Sequence, residues 1–157
     1  MGKTKPPLWW TLVKYALPFG VLLGIPYLLS TDRSLRWFYE KAYAEKWSRA
    51  PKITLFCADY YRWTWRLDRA AATYELFVAR WPKHEQLPEA VYECAVSWRD
   101  RALELEYEAH GDPVLRARRE ELRTQAEAWL SWFVMTYPEH PLRLIAERAA
   151  SNLRCGY

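Results

Sequence analysis

Residues 70–84 read AAATYELFVARWPKH, and residues 126–140 read AEAWLSWFVMTYPEH. Laid on each other they match at Ala70/Ala126, Ala72/Ala128, Phe77/Phe133, Val78/Val134, Pro82/Pro138 and His84/His140, six identities over fifteen positions, with Trp81/Tyr137 aromatic in both. Each copy is an apolar stretch of helical period, closed by a proline that cannot continue a helix and followed by a histidine. A phrase used twice with the same stop chemistry predicts one supersecondary unit used twice, hiding the apolar face of each helix pair on the next. The fold class expected is all-α.

Working outward, residues 53–66 and 69–81 predict a helical hairpin broken near Leu67-Asp68, with Asp68 as the cap of its second helix. Pro88 is placed as the first residue of a helix running to about His110. Gly111-Asp112-Pro113 reads as a C′ glycine, an N-cap and a first-turn proline. The helix that follows, to Tyr137, carries Leu115, Leu122, Ala126, Trp129, Leu130, Phe133 and Tyr137 on one face. Pro138 ends it, and Pro141 opens a last helix to about Leu153.

Upstream, residues 33–49 carry Leu35, Phe38, Tyr39, Ala42, Tyr43 and Trp47 on one helical stripe with basic flanks, and Pro51 is expected to end it. This segment fits either the first helix of the domain or a helix lying in a lipid interface. Residues 8–29, LWWTLVKYALPFGVLLGIPYLL, have a single charge, Lys14, over 22 residues. A helix of that length covers ~30 Å, the hydrocarbon thickness of a bilayer. The run exceeds a signal-peptide core and has no small-residue cleavage site, so the expectation is a retained membrane helix. Trp9, Trp10, Tyr27 and Trp37 would sit at the head-group levels, with Lys14 snorkelling. Pro18 would kink the helix. Gly20 and Gly24 form a GxxxG face for a neighbouring membrane helix. The domains expected are 1–30 tail and membrane helix, 31–52 juxtamembrane amphipathic helix, and 53–157 helical array.

The net charge of +4 is uneven. Residues 1–30 hold three lysines and no acid, 31–69 nine Lys/Arg against five Asp/Glu, and 70–157 eleven against fourteen. The basic part adjoins the presumptive bilayer, where anionic head groups attract each cation by ~1 kcal/mol. The distal part is mildly acidic, which argues against nucleic acid as a partner. Lys3 and Lys5 favour a cytoplasmic N-terminus, while Arg33, Arg36, Lys41, Lys46 and Arg49 favour the reverse; long domains translocate regardless of charge, and the reading taken is N-in.

Catalytic constellations are missing from the sequence. Its three histidines lack metal-ligand spacing, and His84 and His140 occupy equivalent turns where an imidazole caps the next helix. Glu104, Glu106 and Glu108 diverge around a helix as a solvated face, and Arg116 is expected to pair with Glu120. Cys57, Cys94 and Cys155 show no CxxC; Cys57 and Cys94 read as small core residues, with a bridge between them left open. No cofactor is expected. In Tyr60-Tyr61-Arg62-Trp63-Thr64-Trp65-Arg66, a helix would put Tyr61 and Trp65 on one face and Arg62, Arg66 and Arg69 on the next, which fits a core with its rim or an Arg/Trp binding face.

Ala58, Tyr61, Ala70, Tyr74 and Pro82 fall at the spacings of the tetratricopeptide repeat, and over residues 53–154 the chain resembles that family. The phrases Tyr74-x-x-Phe77-x-x-x-Trp81-Pro82 and Phe133-x-x-x-Tyr137-Pro138 are most similar to the long-helix repeats of envelope proteins, such as outer-membrane barrel-assembly lipoproteins and periplasmic cell-division coordinators. The chain departs from the pattern at Trp65, where glycine is usual, at Phe77, where a small residue is usual, and at Thr54, where tryptophan is usual. The resemblance implies a non-catalytic docking or scaffold subunit of a membrane complex. Joined to the single-pass helix of residues 8–29, it places the chain in a bacterial inner membrane, the side of the domain left open with a lean to the periplasm. Arg62, Trp63, Arg66 and Trp98 are its candidate protein-binding residues. The partners expected are other subunits of that complex and membrane lipids, anionic ones included. An accessory subunit of a photosynthetic or respiratory complex is the alternative, and a metal- or haem-binding enzyme a remoter one.

Overall fold

The computed structural model describes residues 31–155, and those residues are all-α. Six helices follow in order: α1 Asp32–Ala44, α2 Ala50–Trp63, α3 Leu67–Arg80, α4 Leu87–Glu108, α5 Pro113–Thr136 and α6 Arg143–Cys155. The expected membrane helix lies outside the described residues, and with it Trp9, Trp10, Lys14, Gly20, Gly24 and Tyr27. Among the described residues no helix is long and apolar enough to cross a membrane. The chain divides into two units between Glu45 and Lys46.

In the first unit, α1 starts on Thr31, whose hydroxyl accepts from the Ser34 amide at 3.4 Å while Asp32 occupies the first turn, where a negative charge suits the helix dipole. It stops at Ala44, five residues short of the 33–49 expectation, because Lys46 adopts φ 52° and breaks the helical path. Pro51 therefore does not end this helix; it sits in the first turn of α2, where its missing N–H has no intrahelical bond to make. Trp37 is exposed, with the Lys41 ammonium 4.8 Å from its ring centre.

In the second unit each helix packs on its neighbours in sequence: α2 on α3, α3 on α4, α4 on α5, α5 on α6. Tyr92 meets Phe133 toward one end of α4 and α5, and Glu106 meets Arg119 toward the other, so the two run antiparallel. The core is a continuous seam: Cys57, Ala58 and Tyr61 from α2, Ala70, Ala71, Tyr74 and Phe77 from α3, Val91, Cys94 and Ala95 from α4, Leu122, Ala126, Leu130 and Phe133 from α5, and Ala146 and Ala150 from α6. Small residues on α3 allow close approach, and the Cys94 thiol reaches the Ala71 carbonyl at 3.7 Å. The buried hydroxyls of Thr54, Thr73 and Ser97 each donate to the carbonyl four residues back, at 3.0, 2.7 and 2.7 Å, which removes the cost of leaving them unpaired. Cys57 and Cys94 are free buried thiols and no bridge joins them. Burial pushes Cys57 up to about 11 and raises Cys94 also, so both stay protonated at neutral pH.

The repeated phrase builds the same corner twice. α3 leaves its helix at Trp81 with φ −131° and ψ 62°, and α5 leaves at Tyr137 with φ −123° and ψ 62°. The His84 ring stands edge-on to Phe77 at 5.3 Å, and the His140 ring edge-on to Phe133 at 5.3 Å. Each imidazole then accepts, at Nδ1, from the backbone N–H two residues on: Gln86 at 3.1 Å and Leu142 at 3.2 Å. The backbone pairs His84–Trp81 and His140–Tyr137 close at the same 3.1 Å. Both histidines therefore brace the turn just before the following helix; the N–H each takes belongs to the residue preceding that helix, so neither caps it as expected.

The Gly111-Asp112-Pro113 restart keeps its cap, Asp112 accepting from the Val114 N–H at 2.8 Å. Gly111 is not the C′ residue: α4 ends at Glu108 with Ala109 as its C-cap, so His110 follows at φ 22° and Gly111 comes after it at φ +100°. Other local expectations shift. Asp68 does not cap α3, whose N-cap residue is Arg66 and whose start has no side-chain cap bond; Asp68 faces Arg101 instead, at 3.2 Å. Glu120 pairs with Arg119 and Arg123 rather than Arg116, and these guanidinium groups hold its carboxyl below the usual range. Glu104 and Glu108 both reach Arg101, while Glu106 faces Arg119 across the hairpin, so this face is laced with ion pairs.

Replacing either corner imidazole removes one turn hydrogen bond and one aromatic contact. His84→Ala and His140→Ala are each expected to cost about 1–2 kcal/mol, by similar amounts, in urea denaturation. A loss confined to one of the two would contradict their equivalence.

Candidate functional site

The candidate site begins where α2 stops. The sequence places Tyr61 and Trp65 on one helix face, but α2 ends at Trp63 and the two residues part company. Tyr61 stays in the core and Trp65 is 70% exposed. The turn is closed by two bonds, Arg66 N–H to the Tyr61 carbonyl at 2.9 Å and Trp65 N–H to the Arg62 carbonyl at 3.0 Å. This is the paired C-terminal turn that normally uses glycine at the residue after the C-cap. Here that residue is Trp65, at φ 58°. A bulky side chain in the left-handed region costs about 1–2 kcal/mol, and its exposed indole regains little of that by burial. Trp63, two residues before, is 78% exposed.

These two indoles stand over a groove of about 500 Å³ lined by Asp59, Arg62, Trp63, Trp65, Leu67, Tyr74, Glu93 and Asp100. α2 and α4 supply its walls, and the buried Leu67 and Tyr74 of α3 its floor. Its polar groups are locked to one another. Tyr74 Oη donates to Asp59 Oδ1 at 2.5 Å, and burial together with that carboxylate raises the phenol so that it stays protonated. The Arg62 guanidinium donates to Glu93 Oε2 in a close ion pair. Burial nevertheless outweighs the guanidinium and raises the Glu93 carboxyl above its usual range. Asp100 takes both Nε and Nη2 of Arg99 on its Oδ1, at 3.0 and 2.7 Å.

Of the four predicted binding residues, Arg62 and Trp63 line this groove. Arg66 lies at the N-cap of α3, beside it but not among its lining residues. Trp98 is elsewhere: only 7% exposed, its indole N–H donates to Glu75 Oε1 at 2.9 Å. The same oxygen accepts from Gln125 Nε2 at 2.9 Å, so one carboxylate of α3 ties α4 and α5 together. That geometry gives Trp98 a packing role. Sequence reasoning missed Asp59, Tyr74, Glu93 and Asp100, which converge only through stacking. Trp65 did carry a signal, as a tryptophan where the turn calls for glycine.

The histidines serve the corners, His140 also facing Glu89 Oε1 at 3.4 Å through Nε2. Among the described residues, no group of three or more His, Cys, Asp or Glu is placed to hold a metal ion. No protein-family model matches the chain, and no curated protein matches it in sequence.

The strain at Trp65 yields a measurable consequence. Trp65→Gly is expected to raise stability by about 0.5–1 kcal/mol, read as a higher urea midpoint at unchanged slope. An unchanged or lower midpoint would mean that the indole recovers its strain within the fold.

Proposed function

We propose that this chain is a non-catalytic, membrane-anchored docking subunit, a tetratricopeptide-like array that holds another protein of a membrane complex. The observation that carries the reading is the pair of exposed indoles, Trp63 and Trp65, over the α2–α4 groove. An isolated domain gains nothing from a strained tryptophan in water. A partner that covers it recovers about 1.5–3 kcal/mol per buried large side chain, and tryptophan and arginine dominate interface energetics. Stacked antiparallel hairpins on a 56-residue spacing, with short turns, support the tetratricopeptide-like part of the reading. The second copy has longer helices, 22 and 24 residues against 14 and 14, in keeping with a long-helix variant.

The membrane part rests on residues 8–29 and on the basic character of 31–69. Trp9, Trp10, Lys14, Tyr27 and Trp37 are its proposed interfacial residues, and Gly20 and Gly24 its proposed contact with a neighbouring helix. Anchoring confines the groove to a bilayer surface, which raises the effective concentration of any membrane-bound partner.

Purification of the tagged full chain in mild detergent, with mass spectrometry of its companions, tests the docking reading. Defined membrane subunits are expected in fixed ratio, retained roughly tenfold or more weakly by Trp63→Ala at unchanged helicity. A chain that runs alone as a monomer, or a Trp63→Ala variant that keeps every companion, would remove the reading. A pigment or haem band in the purified assembly would place it among energy-transducing complexes. The anchor has its own test: the full chain is expected to resist alkaline carbonate extraction from membranes, and a chain lacking residues 1–30 to leave with the soluble fraction. Extraction of the full chain would contradict a spanning segment.

A further inference from the structure

We infer that the α2–α4 groove receives a cationic side chain, an arginine or lysine carried by a segment of the partner protein; this deepens the docking reading and rests on it. Asp59, Glu93 and Asp100 face a single lining guanidinium, Arg62. Each carboxylate has only one oxygen engaged: Asp59 Oδ1 by Tyr74, Glu93 Oε2 by Arg62, Asp100 Oδ1 by Arg99. The second oxygen of each has no hydrogen-bond partner among the described residues. The groove is thus rich in acceptors and poor in donors. An anionic or carboxylate-bearing guest would meet three carboxyl groups and two arginines, Arg62 and Arg99, each already paired to one of them.

The aromatic content points the same way. Trp63 and Trp65 are exposed on the rim, and Tyr60 supports Trp63 with ring centres 6.0 Å apart. Indole faces attract cations through their quadrupole, tryptophan most strongly of the aromatic residues. A guanidinium or ammonium entering between indoles and carboxylates gains from both at once, while its alkyl stem lies on the apolar floor of Leu67 and Tyr74. The volume of about 500 Å³ accommodates one long side chain with its flanking backbone. The fixed ion pair of Arg62 and Glu93 adds selectivity, because it leaves Arg62 already engaged before an acidic competitor arrives.

The probes are blocked single residues: Nα-acetyl-arginine methylamide, its lysine and glutamate counterparts, and tetramethylammonium. Each is titrated into the full chain in a non-ionic detergent while the indole N–H signals of Trp63 and Trp65 are followed by NMR. The arginine and lysine probes are expected to move both indole signals and to saturate, and the glutamate probe to move neither. Asp59→Asn with Asp100→Asn keeps the shape of both side chains and is expected to weaken the arginine response at least fivefold at unchanged helicity. A glutamate probe that binds as well as arginine overturns the inference, as does a saturated response that ignores the two Asn substitutions. Companions lost on Trp63→Ala, together with indoles blind to every cation, would leave docking standing and remove the cationic guest.

Discussion

The edge-on contact between a helix-terminal phenylalanine and the histidine seven residues later is the interaction on which the array depends. An apolar helix ending in Trp-Pro or Tyr-Pro has a stop but no direction. The imidazole supplies the direction, since it packs against the phenylalanine of the helix just ended and takes the backbone N–H of the residue just before the next helix. Phe77 with His84 and Phe133 with His140 do this at the same 5.3 Å separation. Each corner thereby fixes where the next helix begins, and stacking buries the apolar seams that the corners bring face to face.

From that constraint the groove follows. α2 and α4 become neighbours because the first corner returns α4 alongside α3. Arg62 then meets Glu93, and Tyr74 meets Asp59, across the floor of α3. The polar lining is satisfied within itself on one side and open on the other. Trp65, forced into a left-handed turn, marks the place where the array gives up stability that a glycine would restore. Strain, an acceptor-rich groove and two exposed indoles thus fall together at one end of α2.

The fold was largely legible because its decisive features are local. Pro82 and Pro138 stop helices by covalent geometry, Gly111-Asp112-Pro113 restarts one by capping, and an apolar period of about 3.6 needs no knowledge of partners. The site was legible only in part. Arg62 and Trp63 are adjacent in sequence and stood out as an arginine–aromatic pair. Glu93 and Asp100 lie on another helix, and no pattern within a window of sequence brings them to Asp59. Trp98 resembles an interface tryptophan by type alone, and only the position of Glu75 shows that its polar edge is already occupied. Where local preference misled, tertiary contact was stronger: Asp68 turned from the cap of its own helix to Arg101 on the next.

Long-range proton–nitrogen NMR of the neutral imidazoles tests the paired corner most directly. An imidazole that accepts a backbone N–H at Nδ1 must carry its proton on Nε2. The account predicts that tautomer for both His84 and His140, with matching nitrogen shifts. A proton on Nδ1 of either ring would break the turn bond at that corner and contradict the mechanism by which the helices are stacked.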